Sequence, residues 1–460
     1  MQTASRKVIN AWCMYDWANS AYNLVITTTI FPIYYEFITG DGNDKTTTDP
    51  VNFLGRHYVN TALYSYVLGA AFLVVAIMSP ILTSIADYKG NKKAYLRFFC
   101  TLGSLACASL YFFAPEQTAN GEVGALSSTS LNLGILGMFL ACIGYWGSVV
   151  FYNSYLPDLV PEELRDRTSA RGFAYGYFGS VLLQIVCFLF VFFPGILGLE
   201  NKFEQSIMPA RVSFVLVAIW WFGFAQITLQ FLPTIPLKER KERKNVVVNG
   251  FLELKKVWDQ VKKLPVLKRF LFSFFWYSAG IQTVFLAATP FAAKEIHLTT
   301  TELIISMLIT QIVAILGAIV ISRASERFGN FKTLIVTVTL WALVCVFAYF
   351  VTTDVGFYII AFTVGLVMGG IQALGRSTYS KLMPETKDTA SFFSFYDVTE
   401  KIALVMGIIT FGFLEELTGS MRFSILSLIG FFTISLLLLI YTLMTQNKIR
   451  ARESSIVNGE

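Results

Sequence analysis

Three ionisable residues near position 400 stand where a membrane span tolerates them least. In "SFFSFYDVTEKIALVMG", Asp397 and Lys401 are four apart, so on a helix they share a face and can neutralise each other, while Glu400 is turned by roughly 100° toward another neighbour. Ser391 and Ser394 extend the Asp397 and Lys401 face. At 1.5 Å per residue, Lys401 sits about 16 Å into a helix that starts near residue 390, close to mid-bilayer. A buried ammonium offers a binding group to a carboxylate, and a buried carboxylate offers one to an amine or a proton. The alternative is a permanent Asp397 to Lys401 pair that only stitches helices together. Charged groups in a span cost roughly 2.5–3.5 kcal/mol on insertion scales, so they face a protein interior or a watery cavity.

A second polar stripe opens the chain. In "YDWANSAYN" and the residues that follow, Asp16, Asn19, Asn23 and Thr27 are spaced by three, four and four, with Ser20 beside them. Gln282, Gln311, and Gln372 with Arg376 could supply hydrogen bonds or a cytoplasmic gate. Tyr145, Ser148 and Tyr152 form a stripe that could clamp a substrate or fill an interhelical gap. Gly172, Gly176 and Gly179, with Gly365, Gly369 and Gly370, permit close helix approach. Glu36, Glu415 and Glu416 fall near the outer interface.

Other chemistries lack their residues. The six cysteines lie inside apolar segments with no CxxC pattern and read as buried free thiols. His57 and His297 fall at segment ends, so neither a metal nor a cofactor is expected. HExxH, GxSxG and Walker A patterns are missing from the sequence, which argues against an enzyme and against an ATP-driven pump.

The elements that must position these groups are membrane spans. The chain has 460 residues, of which 55% are hydrophobic and only 14% charged, well below the quarter expected of a soluble protein. Runs of about 20 apolar residues number twelve, the first over 11–38, the second over 57–85 and the last over 421–445. An even number places both termini on one face. That face takes 29 of the 36 lysines and arginines; the other takes Lys45, Arg56, Lys202, Arg211, Lys294 and Arg422, and Lys401 belongs to neither. Both termini are therefore expected in the cytoplasm. The domains read as a six-helix bundle over 1–233, a basic linker over 234–268, a second bundle over 269–446 and a tail over 447–460. In the linker, Leu254, Val257, Trp258, Val261 and Leu264 recur at helical spacing, as in an amphipathic helix on the anionic inner leaflet, although a plain solvated linker is the simpler reading. Nucleic-acid binding is not expected.

The two bundles share punctuation. "DYKGNKK" after the second span and "ERFGNFK" after the eighth both read acid, two residues, Gly-Asn, one residue, Lys. "NSYLPDLVPEELRDRTSARGF" and "RSTYSKLMPETKDTASFFSF" form a second repeated pair, aligning Pro161 with Pro384. Two repeats in register imply two bundles related by an axis along the membrane normal. Asp87, Gly90 and Lys93, with Glu326, Gly329 and Lys332, are expected to form a structural latch that holds one state of the bundles, with no substrate contact.

Twelve spans in two halves with this turn in both resemble the major facilitator superfamily. More narrowly, "YDWANSAYNLVITTTIFPIYY", "FYNSYLPDLVPEELRDR", "GGIQALGRSTYSKLMPE" and "SFFSFYDVTEKIAL" are similar to the autophagy-related vacuolar amino-acid effluxers and their bacterial relatives. The resemblance implies an all-α polytopic fold and a secondary transporter working by alternating access, with amino-acid export the best-known activity. In that superfamily the first helix of each half lines the central cavity, which gives the polar stripe on the first span a place to face. Expected partners are a small-molecule substrate, protons and the lipid bilayer, with a monomer in a bacterial cell (inner) membrane. The same fold could instead carry peptides, cell-wall fragments, nucleosides or an amphiphile, and a non-transporting sensor is the third reading.

Overall fold

In a computed structural model of the chain, the described residues are 3–40, 50–118, 123–199, 201–234 and 246–457. The first span is a helix interrupted in the middle. α1 (Arg6–Ala21), whose N-terminus is capped by Ser5, passes into a π-helical stretch (Tyr22–Thr29) and resumes as α2 (Ile30–Thr39). Three consecutive β-branched threonines crowd the backbone here. Thr28 and Thr29 donate their hydroxyls to the carbonyls of Asn23 and Leu24, five residues back, both at 2.7 Å. A wider turn leaves those carbonyls in reach, and such π turns recur at functional sites.

A hairpin follows, β1 (Pro50–Phe53) and β2 (Arg56–Val59). Its two turn residues, Leu54 and Gly55, have φ of 51° and 79°, the positive values that a two-residue turn needs to match strand twist. The second span, expected from residue 57, therefore begins only at Asn60. "RHYV" has aromatic and β-branched residues that serve a strand as readily as a span.

The first half continues through α3 (Asn60–Lys89), α4 (Lys92–Ser109), α5 (Ser128–Asn153), the short α6 (Leu156–Leu159), α7 (Arg165–Phe192) and α8 (Lys202–Phe231). α9 (Val246–Lys263) connects it to α10 (Pro265–Glu295), α11 (Thr300–Phe328), α12 (Asn330–Phe350), α13 (Asp354–Leu382), α14 (Thr389–Thr418) and α15 (Met421–Val457). The boundaries follow local chemistry. Pro265 opens α10, Thr299 and Glu302 close a reciprocal capping box on α11, and Gly90 at φ 65° ends α3 in the left-handed region.

Among the described residues, ten helices are long and apolar enough to cross a membrane. Two further segments complete twelve: the interrupted α1–π–α2 rod, and α14, which carries Asp397, Glu400, Lys401, Glu415 and Glu416. Each half has its own apolar core, one holding Trp12, Phe31 and Trp221, the other Phe270, Trp341 and Phe432. Phe112, Ile219, Phe347, Phe350 and Phe413 are exposed on the outside, where only lipid would accept them. The protein is an all-α polytopic membrane protein.

Two segments depart from the sequence reading. The apolar stripe of α9 packs on the bundles: Val257 and Val261 are buried, and Trp258 stacks on Phe395 of α14 at 5.9 Å. α9 touches α3, α10 and α14, so it straddles both halves. The linker residues Lys238 to Lys244, and Lys45, lie outside the described residues. α15 runs on to Val457, well past the expected end at 446, because half of residues 446–457 are good helix formers and none is glycine or proline.

Candidate functional site

The two halves are joined at the end that carries the basic residues. Asp87, at the end of α3, accepts from the backbone N–H of Ala390 and Ser391 (3.2 and 2.7 Å) and from the Ser391 hydroxyl (2.8 Å). A carboxylate thus caps the N-terminus of α14, meeting its orphan donors and the positive end of its dipole. Lys92 bridges Asp158 (2.9 Å) and Thr389, and Arg165 donates to the Ser380 carbonyl (2.5 Å). Asp166 in the first turn of α7 accepts from Lys381 (2.7 Å), Asn330 (2.9 Å) and Ser325 (3.0 Å).

The expected latch residues divide. Asp87 makes the contact between halves, and Gly90 and Gly329, at φ 65° and 87°, make the reversals. Lys93 bonds the Leu232 carbonyl within its own half (2.9 Å), leaving Lys92 to cross. Glu326 and Lys332 are exposed, outside the contact. The repeat would have Glu326 meet α7 as Asp87 meets α14; instead Asp166 puts the carboxylate on α7 itself, facing the turn.

Deeper in, Asp16 and Arg376 pair across the halves. Both terminal nitrogens of Arg376 lie 3.3 Å from one oxygen of Asp16, which also accepts from the Tyr152 hydroxyl at 2.7 Å. Ser169 and Asn153 take the remaining guanidinium donors, at 2.9–3.0 Å, and the rings of Phe173 and Trp12 flank the cation at 4.2 and 4.9 Å. Gly172 makes room, since a Cβ there would stand 2.5 Å from the Asp16 carboxylate. Asp16 of the first polar stripe and Arg376, a gate candidate from the sequence, form one buried pair.

Above this pair, in the membrane interior, Lys401 and Asp397 of α14 are bonded to each other and buried. The ammonium also stands 4.4 Å from the ring centre of Trp146 on α5, so it reaches the other half through a cation–π contact. The second Asp397 oxygen has no hydrogen-bond partner among the described residues. Glu400, half-buried, accepts from Gln282 of α10 at 3.1 Å. Tyr145 packs between Trp146 (5.2 Å, edge-on) and Tyr22 (5.0 Å), and the Tyr177 hydroxyl crosses the halves to Gln372 at 2.5 Å. Asn19 is buried, whereas Asn23, within the π stretch, is exposed. Among the described residues, the hydrogen bonds that join the halves gather toward the basic end, with Tyr177 to Gln372 the deepest. Ile304 and Leu308 of α11 pack against the first core.

A family described as vacuole effluxer Atg22-like matches residues 4–452. The chain belongs to this Atg22-like family. It is 31% identical over 440 residues to an uncharacterised MFS-type transporter, YxiO, of Bacillus subtilis, covering 94% of both chains. It is 26% identical over 482 residues to autophagy-related protein 22 of Kluyveromyces lactis, covering 94% of this chain and 92% of that one. The fold is also that of the proton:xylose symporter XylE solved with 6-bromo-6-deoxy-D-glucose, with a TM-score of 0.68, 12% identity and 94% of each chain covered. This Atg22-like protein is an MFS-type transporter and not an enzyme.

Several residues of the Atg22-like interior escaped sequence reasoning. Trp146 hides among 71 aromatic residues of three types, and Ser169 and Asn153 are ordinary polar residues until Arg376 arrives beside them. Asp158 and Asp166 did carry a signal. Both fall inside the repeated segment after the fourth span, where paired acids at a basic membrane face have few uses except to hold cations.

Proposed function

We propose that this transporter carries a small zwitterion, an amino acid or a close analogue, out of the cytoplasm by alternating access. The observation that carries the reading is the Asp397 and Lys401 pair: opposite charges, buried at mid-helix, in contact with an aromatic wall of the other half. A zwitterion has the complementary pair, so its carboxylate can take the ammonium of Lys401 while its own ammonium takes the Asp397 oxygen that has no hydrogen-bond partner. Exchanging one ion pair for two keeps every buried charge compensated, which is what an apolar site demands. Trp146, Tyr145 and Tyr22 would then pack on the side chain.

The positive-inside bias makes the basic end cytoplasmic, with both termini there. On that reading the closure through Asp87, Asp166 and Arg376 seals the cytoplasmic side, so exported cargo leaves at the opposite end. The bacterial relative supports placement in a bacterial cell membrane, and a monomer suffices because one chain holds both halves of the site. Glu400, whose hydrogen-bond partner is the neutral amide of Gln282, supports proton coupling as the drive.

The test is binding. Melting of the detergent-purified protein is followed with amino acids, dipeptides and nucleosides added in turn. Stabilisation by amino acids that is lost in Lys401→Ala supports the reading, whereas stabilisation by nucleosides alone overturns the cargo class.

A further inference from the structure

Among the described residues, three carboxylates lie in the interior of the membrane-spanning bundle, and they are not equivalent. Asp16 is compensated by Arg376 and held by Tyr152. Asp397 is compensated by Lys401. Glu400 makes no ion pair among the described residues; its recorded partner is the neutral amide of Gln282. The interior therefore holds two cations against three carboxylates, one negative charge too many for a low-dielectric site.

We infer that Glu400 is the proton-carrying residue of this transporter and that it exchanges one proton for one zwitterion. The inference rests on the transport reading above and adds to it the coupling residue and the stoichiometry. In the empty carrier only a proton on Glu400 can remove the surplus; in the loaded carrier the cargo ammonium, seated beside Asp397 and Glu400, takes the proton's place against the carboxylate while the cargo carboxylate meets Lys401. On the outer side, the carboxylate takes one proton from water and becomes a neutral acid as cargo leaves, and the halves reorient with all interior charges paired. On the cytoplasmic side, the acid returns the proton to water and cargo binds. One positive charge enters for each zwitterion exported.

The surroundings leave few competing groups. On its own helix, Glu400 has Asp397, Lys401 and Tyr396 as neighbours; α10 brings Gln282 and Tyr277, and α5 brings Tyr145. The Lys401 ammonium is already committed to Asp397 and to the Trp146 ring. α3 and α15, also packed on α14, carry their charged residues near their ends, Asp87 and Lys89 on α3, and Arg422, Lys448, Arg450, Arg452 and Glu453 on α15. Glu253 and Lys256 of α9 lie by the first turn of α14, about two and a half turns from Glu400. Gln282 can serve both states, donating its amide N–H to the carboxylate and accepting the acid proton at its carbonyl.

Two measurements test this. The first is a pH-difference infrared spectrum of reconstituted protein, which needs no cargo. The carboxylic-acid C=O band that appears on acidification is expected in the wild type and in Asp16→Asn, absent in Glu400→Gln, and present again in Glu400→Asp. A band of full size in folded Glu400→Gln overturns the assignment. The second is cargo distribution across proteoliposomes with the membrane potential held at zero. One proton per zwitterion means that each pH unit sustains about a tenfold cargo gradient; the gradient should vanish in Glu400→Gln and persist in Glu400→Asp. A cargo gradient that follows sodium and ignores pH also overturns the inference. If no zwitterion moves at all while the infrared result holds, the cargo reading fails and the proton site stands.

Discussion

Lys401 and Arg376 are both buried cations, yet they should fail in different ways when removed. Lys401→Ala strands Asp397 as a buried charge, which costs about 3–5 kcal/mol when one partner of such a pair is lost. The expected result is a lower melting temperature and no transport. Adding Asp397→Asn should restore most of the stability and none of the transport, a comparison made by unfolding and flux assays on the same preparations. Recovery of both would reduce the pair to a helix stitch. Arg376→Ala should instead loosen the closed end, because Asp16, Ser169 and Asn153 lose their shared partner. Cys13, buried one turn before Asp16, reports on this. In a chain with the other five cysteines replaced, an impermeant maleimide supplied at the basic end should label Cys13 in Arg376→Ala and spare it in the parent.

Helices approach most closely where glycines face backbone. A Cβ at Gly317 of α11 would stand 2.0 Å from the Leu366 carbonyl oxygen of α13, and one at Gly369 would stand 2.1 Å from that of Ala314. Backbone cannot yield as a side-chain tip can, so Gly317→Ala is expected to lower membrane yield and melting temperature sharply. Gly412→Ala on α14 meets nothing within 4 Å and should match the parent in both, which makes it the control. The glycine stripes of α7 and α13 were legible as packing surfaces from spacing alone, but their partners were not. The same limit applies to α9: an amphipathic stripe announces that something apolar covers it, and sequence does not distinguish lipid from α14. The π stretch was invisible for another reason. It depends on hydroxyl bonds of Thr28 and Thr29 to carbonyls five residues back, a choice made by the backbone that hydrophobic period does not record.

At the scale of the whole molecule, the count of spans and the two halves could be read directly, since span length and repeated turns are properties of consecutive residues. The site could be read only in part. Asp397 and Lys401 share a helix, so their pairing was predictable, whereas Asp16 and Arg376 are 360 positions apart and each looked like a different device. Symmetry misled at Glu326, because a repeat fixes where a turn lies and leaves open which of two facing helices supplies the acid. The closure at the basic end consists of charged and polar contacts that water can replace when the halves part, so opening exchanges partners more than it destroys them. Such a balance suits two states separated by a few kcal/mol. The most direct measurement is efflux from proteoliposomes loaded with amino acids, dipeptides and nucleosides together, read by mass spectrometry in the wild type and in Lys401→Ala. Selective loss of amino acids from wild-type vesicles and none from Lys401→Ala is the expected result. Retention of every amino acid while another class escapes, or equal efflux from both proteins, would contradict the zwitterion site.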